Sequence, residues 1–287
     1  MNSYFREEER RNVANYVRAL RTMLGDQFRA SDFHRVRNII SDGVNNNFCK
    51  RDKYGINPVE RCLSTAHLFS ELIAPDRNIT IATLLYNFSR ENFVSTEEIR
   101  QSFGEDVAKL VQGLINISSL YTKQAAVEDD NFHKLLFTFA EDIRVIIIMI
   151  VDRLQLMRRI NHHPDEKFVR DISSEARYLY APLAHRLGLY TIKSELEDLS
   201  LKYLNRKIYT QIAEKLNETK EVRNSYVTHF IEPIRERLQD SNIKFEIKGR
   251  TKSINSIWNK MKKKDVDLNE MYDLFAIRII LDTPQKQ

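Results

Sequence analysis

A mainly α-helical fold, closing on the start of an α/β segment, is what this sequence of 287 residues predicts. Three observations lead there. Gly and Pro are scarce, 7 and 6 in the whole chain, which disfavours a turn-rich β protein. Apolar residues recur at helical spacing through most of the chain up to Asp240. Beyond Asp240 the pattern changes to strand-like alternation.

The stretch Ala140–Ile160 anchors the helical part. Twenty-one residues run without Gly or Pro, and Val145–Val151 is unbroken apolar sequence. A helix apolar all round belongs at the centre of a bundle. The run is too short and too closely flanked by charge to span a membrane. Asp152 falls where the buried part ends. A carboxylate there needs a partner, either a salt bridge to Arg153 or another basic group, or a bound metal.

The other elements follow in order. Residues 4–24 read as a helix stopped by Gly25, and Ala30–Ile40 as a second. Ser41–Tyr54 is polar and reads as a loop. Pro58 suits the first turn of a helix over Val59–Ile73. Pro75–Asn78 is a turn, and Ile79–Phe88 the next helix. Ser95 and Glu98 form a capping box for a helix ending near Gly104. Another helix covers Glu105–Ile115. Ser118–Asp130 reads as a loop, and Asn131–Ile160 as helix with a break near Glu141. His162–Pro164 is a turn. Glu166–Tyr180 and Leu183–Leu204 are helices separated near Pro182 and Gly188. Lys207–Asp240 is a helical pair with a boundary near Pro233. Ile243–Lys248 and Asp273–Asp282 are strands flanking a basic amphipathic helix that a turn over Gly249–Lys252 introduces. Two strands and one helix do not close a sheet core. The sequence therefore reads as a truncated chain, its last segment packed on the helical part or poorly ordered.

Composition narrows the function classes. Apolar residues make up 42% and charged residues 30%, as in an ordinary soluble protein. Two cysteines, Cys49 and Cys62, form neither a disulfide framework nor a CxxC pair, which favours a reducing cytoplasm. MNSYFREEERRN lacks an apolar signal core. A net charge of +5 suits a phosphate-rich ligand without arguing for DNA.

Three constellations carry possible chemistry. Gly249-Arg250-Thr251-Lys252 precedes a helix on which Ser256 and Lys260 share a face. Helix N–H groups and cations could converge there on phosphate, or the face is simply solvated. Asp273 opens the second strand, where a carboxylate beside phosphates suits Mg²⁺, or serves as a turn residue or a partner for Arg278. Asp152 is the third. His67, His133, His162, His163 and His185 are not spaced as a metal-ligand set.

Several segments are similar to the N-terminal half of the RelA/SpoT homologues, the long enzymes of (p)ppGpp metabolism. They are FGEDVAKLVQGL (Phe103–Leu114), DIRVIIIMIVDRLQLMR (Asp142–Arg158), YAPLAHRLG (Tyr180–Gly188), ELEDLSLKYLN (Glu195–Asn205), GRTKSINSIWNKM (Gly249–Met261) and YDLFAIR (Tyr272–Arg278). The resemblance implies a helical HD-type domain over 1–195, a helical connector over 196–240, and over 241–287 the truncated start of an α/β nucleotidyltransferase-like synthetase domain. In this family the HD domain binds Mn²⁺ and removes pyrophosphate from (p)ppGpp, and the synthetase transfers pyrophosphate from ATP to GDP or GTP. The hydrolase ligands of the family fall here on Asn57, Tyr86, Asn87 and Asp152. Its water-activating acidic pair falls on Arg90 and Glu91, and the His and Asn of its distal motif on Gln155 and Leu156. One carboxylate in four positions does not hold Mn²⁺ against water. The expectation is a pseudo-hydrolase without a Mn²⁺ site. For the synthetase, the resemblance implies ATP-phosphate contacts from Arg250, Lys252, Ser256 and Lys260 and a catalytic Mg²⁺ ligand in Asp273. It also implies ribosome contact through C-terminal domains, and an isolated fragment inactive in both directions.

Three functions compete. The first is the N-terminal region of a (p)ppGpp synthetase whose hydrolase half is silent. The second is a regulatory module in which that half still binds a guanine nucleotide such as ppGpp, with help from Lys50 and Arg51. Residual (p)ppGpp hydrolysis is a variant of these. The third is a general nucleic-acid binder, suggested only by basicity and the Lys262–Lys264 run.

Overall fold

The computed structural model describes residues 4–51, 55–123, 142–218, 220–240, 245–271 and 274–281. It divides into two compact units, Met1–Leu196 and Glu197–Gln287. The first unit contains α1 (Glu7–Leu24), α2 (Ala30–Asn45), α3 (Pro58–Leu72), α4 (Arg77–Arg90), α5 (Thr96–Phe103) and α6 (Glu105–Lys123). It continues with α7 (Ile143–Arg159), α8 (Glu166–Glu175) and α9 (Ala181–Arg186). The division falls within α10 (Tyr190–Leu204). Helices dominate, as expected from the sequence.

The caps explain where helices start and stop. Pro58 occupies the first turn of α3, and Asp76 accepts the Ile79 amide at 2.8 Å to start α4. Ser95 and Glu98 close the capping box of α5. Gly25, Gly104 and Gly188 end their helices at positive φ, where a side chain would strain the backbone. The α7 helix is the centre of the unit. Ile150, Val151, Leu154 and Met157 are fully buried, and α7 packs on α3 and α6. Each such side chain contributes roughly 1.5–3 kcal/mol relative to exposure. A Cβ on Gly113 of α6 would lie 2.8 Å from Val145 Cγ2, so the glycine sets the α6–α7 approach.

Several boundaries differ from the sequence reading. The loop expected over Ser41–Tyr54 begins later, because α2 runs to Asn45; residues 52–54 lie outside the described residues. The helix α6 likewise continues through Lys123, into the loop expected over Ser118–Asp130. Residues 124–141, including the expected break near Glu141, lie outside the described residues. No break separates Tyr180 from Leu183. The backbone passes from α8 through a π turn, Ala176–Tyr180, directly into α9, with Pro182 in its first turn. The wider turn accommodates a residue that lacks an N–H.

The second unit holds α11 (Arg206–Glu218), α12 (Lys220–Asp240), β1 (Phe245–Thr251), α13 (Ile254–Lys264) and β2 (Phe275–Leu281). Pro233 lies inside α12 rather than at a boundary. Its ring fixes a helical φ, and both Pro233 and His229 are exposed to water. The strands pair antiparallel, from Phe245 opposite Leu281 to Thr251 opposite Phe275. Gly249–Thr251 therefore belong to β1, not to a turn, and the helix starts only after Ser253. Ile212 of α11, Ile257 of α13 and Met271 form the core of this unit, flanked by Ile208, Trp258 and Leu268.

Candidate functional site

In the first unit the candidate site lies along one face of α3. Asn57 caps that helix. Its side-chain oxygen accepts the amides of Val59 at 3.0 Å and Glu60 at 3.2 Å. Its amide nitrogen donates to Glu9 at 3.5 Å. Glu9 is gripped by Arg51 at 2.5 and 2.6 Å, and that pairing outweighs burial to hold its carboxyl below the usual range. Arg51 also donates to the carbonyls of Tyr4 and Gly55, at 3.1 and 3.0 Å. Asn57 thus serves helix capping and the α1 ion cluster.

One turn along α3, Arg61 meets Asp152 of α7. Its Nε donates to Oδ1 at 2.9 Å and its Nη2 donates to Oδ2. The Thr65 hydroxyl, a further turn on, donates to Oδ1 at 3.1 Å. Burial alone would raise the Asp152 pKa, yet the guanidinium holds it below the usual carboxylate range. The partner of Asp152 is therefore Arg61. Arg153 turns elsewhere, to Glu175 at 2.7 Å and the Tyr180 hydroxyl at 3.2 Å, with its guanidinium 4.5 Å from the Tyr180 ring centroid.

The remaining positions line two cavities. Tyr86 is shared between them. A cavity of ≈ 670 Å³ is lined by Lys50, Ile56, Arg61, Tyr86, Asn87 and Arg90, among others. A second, of ≈ 270 Å³, includes Thr65, Tyr86, Asp152, Arg153, Glu175 and Tyr180. Asn87 donates to the Cys62 sulfur at 3.1 Å. Burial and the Asp152 charge push the Tyr86 phenol upward, so it stays neutral. Arg90 donates to Glu91 at 3.1 and 3.2 Å on the exposed rim. Gln155 and Leu156 are buried in α7. His67 lies 3.9 Å from Glu71, and His133 lies outside the described residues. Among the described residues no three His, Cys, Asp or Glu side chains gather to hold a metal ion.

In the second unit, register sets Arg250 opposite Ala276. Lys252 follows β1, its amide donating to the Leu274 carbonyl at 2.9 Å. Ser253 caps α13, its hydroxyl oxygen accepting the Ser256 amide at 3.2 Å while its O–H donates to Ser256 Oγ at 2.7 Å. The first two amides of α13 donate to Asp198 of α10, Ile254 at 3.2 Å and Asn255 at 2.7 Å. The first-turn amides expected to face phosphate are thus committed within the protein. Lys260 lies one turn beyond Ser256 on the same face. Asp273 lies outside the described residues.

Sequence reasoning singled out Asp152 but missed Arg61, Thr65 and Asp198. A weak signal existed for two of them. Arg61 and Thr65 sit at four-residue spacing from Asn57, on a helix whose sequence, VERCLSTAHLFS, is otherwise mostly small or apolar.

Comparisons with known proteins fit this layout. Residues 44–190 match the HD domain model, and residues 249–287 match the model of a region found in RelA/SpoT proteins. A GTP pyrophosphokinase of Myxococcus xanthus is 35% identical over 81% of this chain and 30% of its own length. A guanosine-3′,5′-bis(diphosphate) 3′-pyrophosphohydrolase of Aquifex aeolicus is 36% identical over 81% of this chain and 32% of its own. The Escherichia coli K12 GTP pyrophosphokinase is 32% identical over 71% and 28%. The chain therefore spans about a third of the length of the curated relatives it matches. Relatives named for synthesis and for hydrolysis are equally similar, so their names do not decide between the two activities. The helical HD domain, the following RelA/SpoT region and these relatives together place the chain in the family of RelA/SpoT homologues.

Proposed function

We propose that the first unit is a pseudo-hydrolase and that the second opens a pyrophosphate-transfer domain. In this reading 1–195 is the HD-type domain, 196–240 a helical connector and 241–287 the start of the synthetase, working in the cytoplasm. The observation that carries the hydrolase half is the Arg61–Asp152 pair. Both oxygens of the one carboxylate at the four ligand positions are engaged by a guanidinium. Asn57 is turned to helix capping, Asn87 to a thiol, and Tyr86 is held neutral. A divalent ion would find only a carboxylate already engaged by a guanidinium, so a permanent cation occupies the place it would need. These residues do not fit Mn²⁺. Arg90 adds a cation where an acidic residue is needed to activate water.

For the synthetase half, the matched RelA/SpoT region supports assigning Arg250, Lys252, Ser256 and Lys260 to the ATP phosphates. In-line transfer of pyrophosphate to the 3′-hydroxyl of GDP or GTP builds negative charge that those cations neutralise. Asp273 would help hold Mg²⁺, which would supply further charge neutralisation.

The test of the first half is a manganese-dependent (p)ppGpp hydrolysis assay alongside Mn²⁺ titration. No turnover above blank and no tight Mn²⁺ site are expected; turnover overturns the proposal. For the second half, Asp273→Ala in the full-length protein is expected to abolish synthesis, and retained synthesis refutes that assignment. A second reading is favoured by one observation. The ≈ 670 Å³ cavity gathers Lys50, Arg61 and Arg90, a setting suited to a phosphorylated guanine nucleotide acting as a regulator. Calorimetric titration with ppGpp decides it: saturable binding supports a regulatory pocket, and no heat of binding leaves the unit as a scaffold.

A further inference from the structure

We infer that Asp198 is a positioning residue for pyrophosphate transfer, and that the phosphates on α13 are held by side chains rather than by a cradle of helix amides. The inference rests on the assignment of Ser256 and Lys260 to the ATP phosphates. Helix N-termini attract anions because their first amides lack intrahelical acceptors and the helix dipole is positive there. In this chain the anion is supplied from within. The Asp198 carboxylate spans Ile254 N–H and Asn255 N–H, one oxygen to each, at 3.2 and 2.7 Å. Ser253 takes the third amide, that of Ser256.

Two consequences follow from this geometry. The bidentate contact fixes both the position and the axial rotation of α13, because two successive amides must meet one rigid carboxylate. Rotation decides where Ser256 and Lys260 point, since they share one face of that helix. Packing alone fixes the opposite face. Ile257 is fully buried against a core that includes Ile212 and Ile208 of α11. Asp198 and Ile257 together therefore set the azimuth of the phosphate-binding side chains. The second consequence concerns selectivity. With its first-turn amides committed, α13 presents hydroxyl and ammonium groups, and its grip on phosphate depends on cation placement.

A negative charge near a triphosphate makes the test sharp, because two roles of Asp198 predict opposite signs. As a bystander it repels ATP, and its removal tightens ATP use. As a positioning residue its removal weakens ATP use. Pyrophosphate transfer by the full-length protein is measured with ATP and acceptor varied separately. Asp198→Ala is expected to raise the KM for ATP about tenfold while the acceptor KM stays within about twofold. Asp198→Asn, which keeps one acceptor oxygen, falls between, and decides by the same split if the alanine variant does not fold. Amide exchange at Ile254 and Asn255 is expected to accelerate in both variants. An ATP KM that is unchanged or lowered, while Lys260→Ala raises it, overturns the positioning role. If Lys260→Ala also leaves ATP unaffected, the assignment of phosphate contacts to α13 is what has failed, a distinguishable pattern.

Discussion

Arg61→Met tests whether the guanidinium is the counter-charge that allows Asp152 to stay ionised among the helices. The substitution keeps most of the side chain's length and apolar contact and removes the charge together with its hydrogen-bond donors. Asp152 then keeps the Thr65 hydroxyl at 3.1 Å and loses both guanidinium bonds. Removing one partner of a fully buried pair costs about 3–5 kcal/mol. Here the Arg61 and Asp152 side chains remain 25% and 23% exposed, so water recovers part of the loss. Roughly 2–3 kcal/mol is the discounted figure. It lowers Tm by about 5–10 °C for a unit of this size.

The pH dependence supplies the sign. In the wild type the folded pKa of Asp152 is depressed. Its contribution is present above the unfolded carboxylate pKa and disappears as pH falls through the lower folded value. In Arg61→Met burial is opposed only by the Thr65 hydroxyl and the Arg153 charge, and the folded pKa is expected to rise above the unfolded one. That penalty is largest at neutral pH and shrinks as the carboxyl protonates. Urea titrations at neutral pH and about two units lower should therefore show the gap between wild type and variant closing on acidification. The double variant Arg61→Met/Asp152→Leu should recover most of the lost stability, because two apolar groups replace a pair that burial disfavours. A single variant as stable as the wild type, or an equal deficit at both pH values, refutes the reasoning.

Four further outcomes are expected. Asn57→Ala removes a cap that accepts two amides, and should destabilise the chain by about 1 kcal/mol in urea titration. Gly113→Ala should destabilise by about 1–3 kcal/mol despite better helix propensity, because its Cβ meets the branched Val145 side chain at 2.8 Å. Burial pushes the thiols of Cys49 and Cys62 up to about 12, so alkylation near neutral pH should proceed only as fast as the chain unfolds; rapid modification of native protein contradicts their burial. Asn57→His/Tyr86→His/Asn87→Asp should not bind Mn²⁺ tightly while Arg61 is present, and should gain affinity when Arg61→Val is added, as read by paramagnetic resonance.

What was readable in the sequence was local. Ser95 with Glu98, Pro58 and Gly104 each act within a turn or two, and their helices start or stop where those residues require. The centrality of α7 was readable because seven consecutive apolar residues leave no polar face to present to water. That Asp152 needs a partner was also readable, from the cost of an unpartnered carboxylate. Which partner it takes was not. Arg61 lies 91 positions away, and its neighbour Arg153 is committed to Glu175 and Tyr180 through the π turn that brings them near. The extra length of α2 and α6 escaped for a related reason. Polar sequence at a helix end looks like a loop until packing partners are known. Asp198 reads as one more acidic residue on a charged helix. Only the fold reveals that it faces the start of α13.

The Arg61–Asp152 pair and the Asp198 cap share one physical logic. Each is an anion whose neutralisation is built from the chain itself, by a guanidinium in one case and by helix amides in the other. A carboxylate inside a helical bundle must be matched or it titrates. A side-chain cation matches it permanently and at a fixed position, whereas a dissociable ion does so only when bound. On the pseudo-hydrolase proposal, the helical packing around Arg61 is expected to hold whether or not metal is supplied, so stability should not respond to chelators. Binding linkage makes this quantitative: a resident metal at a hundredfold excess over its Kd would add about 2.7 kcal/mol, lost on chelation. A melting temperature of the first unit that falls on treatment with EDTA would show that a dissociable ion, and not Arg61 alone, balances the charge of Asp152.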